Sequence, residues 1–307
     1  MSPFNITTLF SVNGLVAVIT GGGSGLGRTI ARALAANGAA KVYILGRRIN
    51  ALTETASTHP DTINPIVADV TSKSSLADAV ARIKQEMGYV NLVVAAAGMV
   101  YLPPPLPTSD SNSAKRGLGV GSSGQVQVGR VLKSNSTAAE VESYLLDTPE
   151  VEFLDSYRVN TIGVFYTVAS FISLLNEGNK RGNIDQKSHV IAVSSVAGQT
   201  RYATGGSAYG MSKAAVLHCM RQMMTFLAPM DVRVNTVSPG IFPSELTGGP
   251  PNYDMTKEGS FSRELIPLRR AGTDEEIAGT FLYLASKAGG FVHGQVLVVD
   301  GGRLGYL

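Results

Sequence analysis

Residues 15–37 read Leu15-Val16-Ala17-Val18-Ile19-Thr20-Gly21-Gly22-Gly23-Ser24-Gly25-Leu26-Gly27-Arg28-Thr29-Ile30-Ala31-Arg32-Ala33-Leu34-Ala35-Ala36-Asn37. An apolar run, Leu15 to Thr20, reads as a buried strand, and Arg28 to Asn37 reads as a helix. Between them lies a turn rich in glycine. A backbone passing close under a pyrophosphate cannot carry side chains, and the free N–H groups and dipole of a helix start attract phosphates. Gly21, Gly25 and Gly27 fill those places, with Ser24 and Leu26 on the same turn. A glycine-rich turn without a ligand has the same letters, so its position after a strand and before a helix favours a dinucleotide.

Outward from this unit the rhythm repeats. Lys41–Leu45, Pro65–Ala68, Asn91–Ala96, His189–Ser194, Val232–Val237 and Gln295–Val299 are further short apolar runs. Leu76, Val80, Ile83 and Met87 share one helical face, with Lys73, Asp78, Arg82 and Glu86 off it. Parallel strands need helical crossovers and are apolar on both faces. The expected fold is therefore α/β: a doubly wound, mainly parallel seven-stranded sheet with helices on both faces. At 307 residues the chain is read as one domain. Pro103 to Pro149 breaks the rhythm with Pro, Ser, Gly and Asn and with Lys115, Arg116, Arg130 and Lys133. It reads as an insertion, either a flexible surface excursion or a lid or oligomer contact, with Thr137 to Leu146 able to form a short helix.

The 44% hydrophobic share permits a large core and excludes general disorder, although the 16% charged share is low and the 34 glycines exceed the usual ~7%. A net charge of +3 argues against a nucleic-acid partner or a membrane surface. Cys219 is the single cysteine, which rules out an intrachain disulfide and Cys-rich metal sites; no metal is expected. Met1 to Val12 has no Lys or Arg and no sustained apolar core, and Val90 to Leu102 is too short to span a bilayer. The expectation is a cytoplasmic protein without a membrane partner.

The second strand is followed by Gly46-Arg47-Arg48, where an NAD-binding fold places a carboxylate for the adenosine ribose hydroxyls. The Arg47 guanidinium suits a 2′-phosphate, with Arg48 as a second contact. The pair is read as a preference for NADP(H) over NAD(H); the alternative is two arginines that only solvate a loop. Asp69, in Ala68-Asp69-Val70, is placed either to accept from an adenine amino group or to cap the next helix.

Tyr209-Gly210-Met211-Ser212-Lys213 opens a helix, and Ser194-Ser195 ends the fifth strand. Tyr209 and Lys213, four apart, share a helical face, and a lysine ammonium there lowers the phenol's pKa, making it a usable acid and base. Ser195 is placed to hydrogen-bond the same substrate oxygen.

With these motifs the sequence resembles the short-chain dehydrogenase/reductase family over nearly the whole chain outside Pro103–Pro149. The matching elements are Thr20–Gly27, Ala97-Gly98, Asn160 in Val159-Asn160-Thr161-Ile162-Gly163, Ser195, Tyr209, Lys213 and Ser238-Pro239-Gly240. The resemblance implies that Tyr209 transfers a proton, Ser195 positions the carbonyl or hydroxyl, Lys213 binds the nicotinamide ribose and Asn160 orders a proton-relay water. It implies also that the Pro239, Gly240, Ile241 to Ser244 loop flanks the nicotinamide, with Ser244 where the family usually has a threonine. Two features depart from the family: Ala95 and Ala96 replace paired asparagines, and Ser195 lies 14 residues before Tyr209, one more than usual, so that Ser194 is an alternative.

Pro243 to Pro267 falls where the family carries its substrate lid. Phe242, Leu246, Tyr253, Met255, Phe261 and Tyr202 either line a pocket for an aromatic or polycyclic ketone or alcohol, or pack the lid on the core. Gly294 to Gly302 looks like the edge strand that the family buries between subunits, so a homo-dimer or homo-tetramer is expected. The expected activity is NADP(H)-dependent hydride transfer to a small-molecule carbonyl; the alternatives are a non-redox or regulatory cofactor-binding protein, or an assembly role for the insertion.

Overall fold

The computed structural model describes residues 2, 4–100, 118–120, 126–128, 137–203, 205–247 and 253–306. In chain order its elements are α1 (Ile6–Leu9), β1 (Val16–Thr20), α2 (Gly25–Ala36), β2 (Lys41–Gly46), α3 (Ile49–Ala56), β3 (Ile63–Val67), α4 (Lys73–Glu86), β4 (Leu92–Ala95), β5 (Leu118–Val120), β6 (Val126–Val128), α5 (Ala138–Leu146), α6 (Glu150–Tyr157), α7 (Gly163–Arg181), β7 (His189–Val193), α8 (Ser207–Leu227), β8 (Arg233–Pro239), α9 (Asp274–Ala285), β9 (Val296–Val299) and α10 (Arg303–Tyr306). Seven strands form one parallel sheet in the order β3-β2-β1-β4-β7-β8-β9. Val18 pairs with Tyr43 on one side and Val93 on the other.

Alternation along the strands explains why both faces are apolar. Val16 and Val18 join one core with Phe171, Val216 and Met220, while Ala17 and Ile19 join a second with Ile30, Leu34 and Phe281. Helices therefore cover both faces, as the sequence led us to expect. The strand order reverses between β1 and β4, which opens a crevice beyond the strands' carboxyl ends.

Two boundaries and one burial pattern refine the sequence reading. β3 begins at Ile63, two residues before Pro65; the proline is tolerated because β3 is an edge strand paired only with β2. α2 begins at Gly25 and not Arg28, so the last glycines of the motif already belong to its first turn. β9 is half-buried throughout, because it too lies at an edge.

Within the inserted segment, β5 and β6 pair antiparallel, and α5 begins with a capping box in which Thr137 and Glu140 satisfy each other's backbone N–H. Lys115, Arg116, Arg130 and Lys133 lie outside the described residues. The helical run Glu150–Arg181 is long and apolar enough to cross a membrane. Its α7 part buries Val164, Val168, Phe171, Leu174 and Leu175 in the core.

Candidate active site

The crevice at the strand-order reversal is lined by the chain just beyond β1, β2, β3, β4, β7 and β8. Gly21, at φ +72°, turns the chain there; a Cβ on it would lie 2.9 Å from the Ala97 backbone. A Cβ on Gly27 would run into the Gly21 carbonyl oxygen. Both glycines are thus required first by the approach of chain to chain, and this is what lets α2 start at the crevice. Ser24 stands at the N-cap of α2 but makes no capping hydrogen bond, and the opening N–H groups of α2 keep no side-chain cap. With Gly25 and Leu26 also lining the crevice, this donor set fits a dinucleotide phosphate.

At one end of the crevice the functional side chains are buried. Tyr209 is 9% and Lys213 4% exposed, and both project from the first turns of α8. The Lys213 ammonium donates to the Val193 carbonyl at 3.0 Å and lies 5.9 Å from the Tyr209 ring centroid. Burial pushes the Lys213 pKa down to about 8. Burial also raises the Tyr209 phenol, while the facing Ser195 hydroxyl pulls it the other way. The sequence reading expected lysine to lower the phenol; in the protein alone, loss of water around a phenolate raises it and the opposing pull comes from Ser195.

The two adjacent serines have different partners. Ser194 is buried and its hydroxyl donates to the Lys213 carbonyl at 2.8 Å, so it ties β7 to α8. The Ser195 hydroxyl accepts from the Ala197 N–H and faces Tyr209. Asn160 is fully buried in a π-helical turn, Arg158–Ile162. Its amide donates to the Met99 carbonyl and the Ser212 hydroxyl, and its Oδ1 accepts from the Met99 N–H at 2.8 Å. The side chain thus ties the chain beyond β4 to α8. Gly98 sits between: a Cβ on it would be 3.3 Å from Lys213 Nζ and 3.4 Å from Asn160 Oδ1. Where Ala95 and Ala96 replace asparagines, Thr20 supplies a tie, accepting from the Ala97 N–H at 3.3 Å.

At the other end the groups lie in water. Arg47 and Arg48 are exposed and line the crevice. Asp69 and Val70 line it too; Asp69 Oδ1 accepts from both the N–H and the hydroxyl of Thr71, a local turn ahead of α4, whose cap is Ser72 and not Asp69. Burial works to raise the Asp69 pKa, but the Thr71 hydrogen bonds and the charges of Arg47 and Arg158 outweigh it and lower it.

Pro239, Gly240 and Ser244 also reach the crevice. The Ile241 side chain packs on the cluster of Met255, Phe261, Ile266 and Ala271. Its carbonyl accepts from the Gly272 N–H at 2.9 Å. Met255 and Phe261 likewise pack the lid, whereas Leu246 lines the crevice and Tyr202 is exposed.

A family model described as short chain dehydrogenase matches residues 15–118, and one described as Enoyl-(Acyl carrier protein) reductase matches 124–303. A short-chain dehydrogenase/reductase named PhomF, from Diaporthe leptostromiformis, is 37% identical over 299 residues, covering 96% of this chain and 93% of that one. The chain belongs to the short-chain dehydrogenase/reductase family. Among solved short-chain dehydrogenase/reductases, one from Mycobacterium marinum superposes with a TM-score of 0.73 at 28% identity, covering 96% of this chain and 97% of the other. Pseudomonas aeruginosa RhlG, solved as an NADP active-site complex, gives 0.74 at 26% identity, covering 99% and 100%. Membership makes this protein an oxidoreductase of the CH–OH/C=O class.

Sequence reasoning missed several crevice residues of this short-chain dehydrogenase/reductase, among them Ala51, Leu52, Glu245 and Thr247. Thr247 Oγ1 accepts from the Ser244 N–H at 2.9 Å and donates to the Phe242 carbonyl at 2.8 Å, fixing the turn that carries Ser244. The Ser-x-x-Thr spacing was the available signal. For Glu245 there was none, because its partner Arg48 lies 197 positions away.

Proposed function

We propose that this protein is an NADP(H)-dependent carbonyl reductase acting on a ketone with an aromatic or polycyclic body, reduction being its working direction. The observation that carries the cofactor choice is Arg47: it follows β2 where a carboxylate for ribose hydroxyls is missing, and it makes no hydrogen bond or ion pair among the described residues. A guanidinium free at that rim suits a 2′-phosphate. Gly21, Ser24, Gly25, Leu26, Gly27, Ala97, Gly98, Pro239, Gly240 and Ser244 would hold the rest of the cofactor, which when bound supplies the hydride.

The chain's own residues then supply the proton. The Tyr209 phenol, kept protonated by burial, donates it to the carbonyl oxygen, and the Ser195 hydroxyl donates a hydrogen bond to the same oxygen. Lys213, held by the Val193 carbonyl, presents its ammonium to the ribose hydroxyls and stabilises the phenolate left behind. Leu246, which lines the crevice, offers apolar surface for the substrate body.

Fluorescence titration tests the reading. Losing a charge-assisted phosphate contact costs about 1.5–3 kcal/mol, so Arg47→Ala should weaken NADPH binding roughly ten- to a hundredfold and leave NADH unchanged. Equal NADPH affinity in both proteins overturns the assignment. We infer also that β9, an open half-buried edge, is covered by a second copy, giving a closed dimer or tetramer. Sedimentation should find that species, and a monomer at micromolar concentration refutes it.

A further inference from the structure

The two adjacent arginines at the crevice rim are engaged differently. Arg48 Nη2 donates to Glu245 Oε2 at 2.7 Å and to Ser24 Oγ at 3.1 Å, joining the end of β2, the loop before α2 and the lid loop. Arg47 keeps its guanidinium unengaged among the described residues. The lid that carries Glu245 has a small core of its own, Met255, Phe261, Ile266 and Ala271, separate from the two cores flanking the sheet. Its base is fixed where the Gly240 N–H donates to the Val299 carbonyl and the Gly272 N–H to the Ile241 carbonyl. Between these anchors and the rim, the Ser244–Thr247 turn holds Glu245 in place.

We propose that Arg48 and Glu245 are a clasp that closes the lid across the crevice, so that Arg48 retains the cofactor whatever its type and Arg47 alone reads the 2′-phosphate. This deepens the NADP(H) reading and rests on it. A phosphate drawn to Arg48 would meet the Glu245 carboxylate already seated there, and like charges within a few ångströms disfavour each other. The carboxylate that Arg47 feels, Asp69, is turned to Thr71 and makes no ion pair with it among the described residues. Ser24, Arg48 and Glu245 all line the crevice, so a cofactor entering or leaving passes the pair. The side chains are 63% and 61% exposed, which makes the pair weak and screened by salt, as suits a contact that opens in every turnover.

Stopped-flow release of NADPH and NADH from the full chain tests the clasp, with tryptic cleavage of the lid at Lys257 and Arg263 as a readout that needs no cofactor. Arg48→Ala and Glu245→Gln should each speed release of both cofactors by the same factor, about two- to fivefold, with no further gain when combined. Salt should bring the wild type to the variants' rate, and lid cleavage should quicken in both. Arg47→Ala should speed release of NADPH only. If Arg48→Ala affects NADPH alone while Glu245→Gln changes nothing, Arg48 is a phosphate ligand and the clasp is wrong; unchanged release and cleavage in both variants also overturn it. A protein that binds neither cofactor defeats the NADP(H) reading, and the lid-cleavage rates then still decide the clasp.

Discussion

The two ends of the crevice use opposite physical means. Around Tyr209 the working groups are almost wholly buried, each ammonium, hydroxyl or amide is assigned to a named carbonyl or partner, and burial moves both the tyrosine and lysine from their ordinary pKa values. Around Arg47 and Arg48 the charges stand in water, and the ion pair to Glu245 is mostly exposed. Charge acts strongly where water is excluded and weakly where it is not. A proton donor needs the first setting; a rim through which a ligand enters and leaves is served by the second.

The contrast breaks most readily at Tyr209. Tyr209→Phe keeps the ring's packing and removes the proton, so NADPH binding should persist while ketone-dependent NADPH consumption falls by about 10²- to 10⁴-fold. Full turnover by this variant would mean that the buried end does not hold the acid. A wild type that binds NADPH but consumes none with any carbonyl would favour the non-redox alternative.

A pH profile sharpens the same end at a smaller scale. Burial disfavours the charged form of Lys213, so its ammonium is present below about pH 8 and lost as the pH rises past it. Tyr209, shifted upward, remains protonated over that range. The value of kcat/KM for reduction should therefore fall on the alkaline side, by about tenfold per unit well beyond the midpoint. A profile that stays flat there would show that the lysine's charge is not needed in the free enzyme. Smallest of all are the effects of the exposed Arg48–Glu245 pair, whose loss changes release a few-fold and which added salt erases.

Much of this protein was legible in its sequence because the relevant signals are local. Apolar runs of strand length, a glycine turn between strand and helix, the absence of a carboxylate after Gly46, and Tyr209 and Lys213 one turn apart each depend on residues near one another in the chain. These features alone give the doubly wound sheet, the crevice at its carboxyl edge and the Tyr–Lys pair. Tertiary structure decided which hydrogen bonds won where several were open. Ser194 turned to the Lys213 carbonyl and left Ser195 to face Tyr209; Asp69 took Thr71; Ile241 packed with the lid. It also showed that Gly21 and Gly27 are demanded by neighbouring backbone, and that Arg48 meets a carboxylate from the lid. Pattern fixes what a segment is, since backbone geometry repeats over a few residues; which distant group it meets depends on competition among partners that only the folded chain brings within reach.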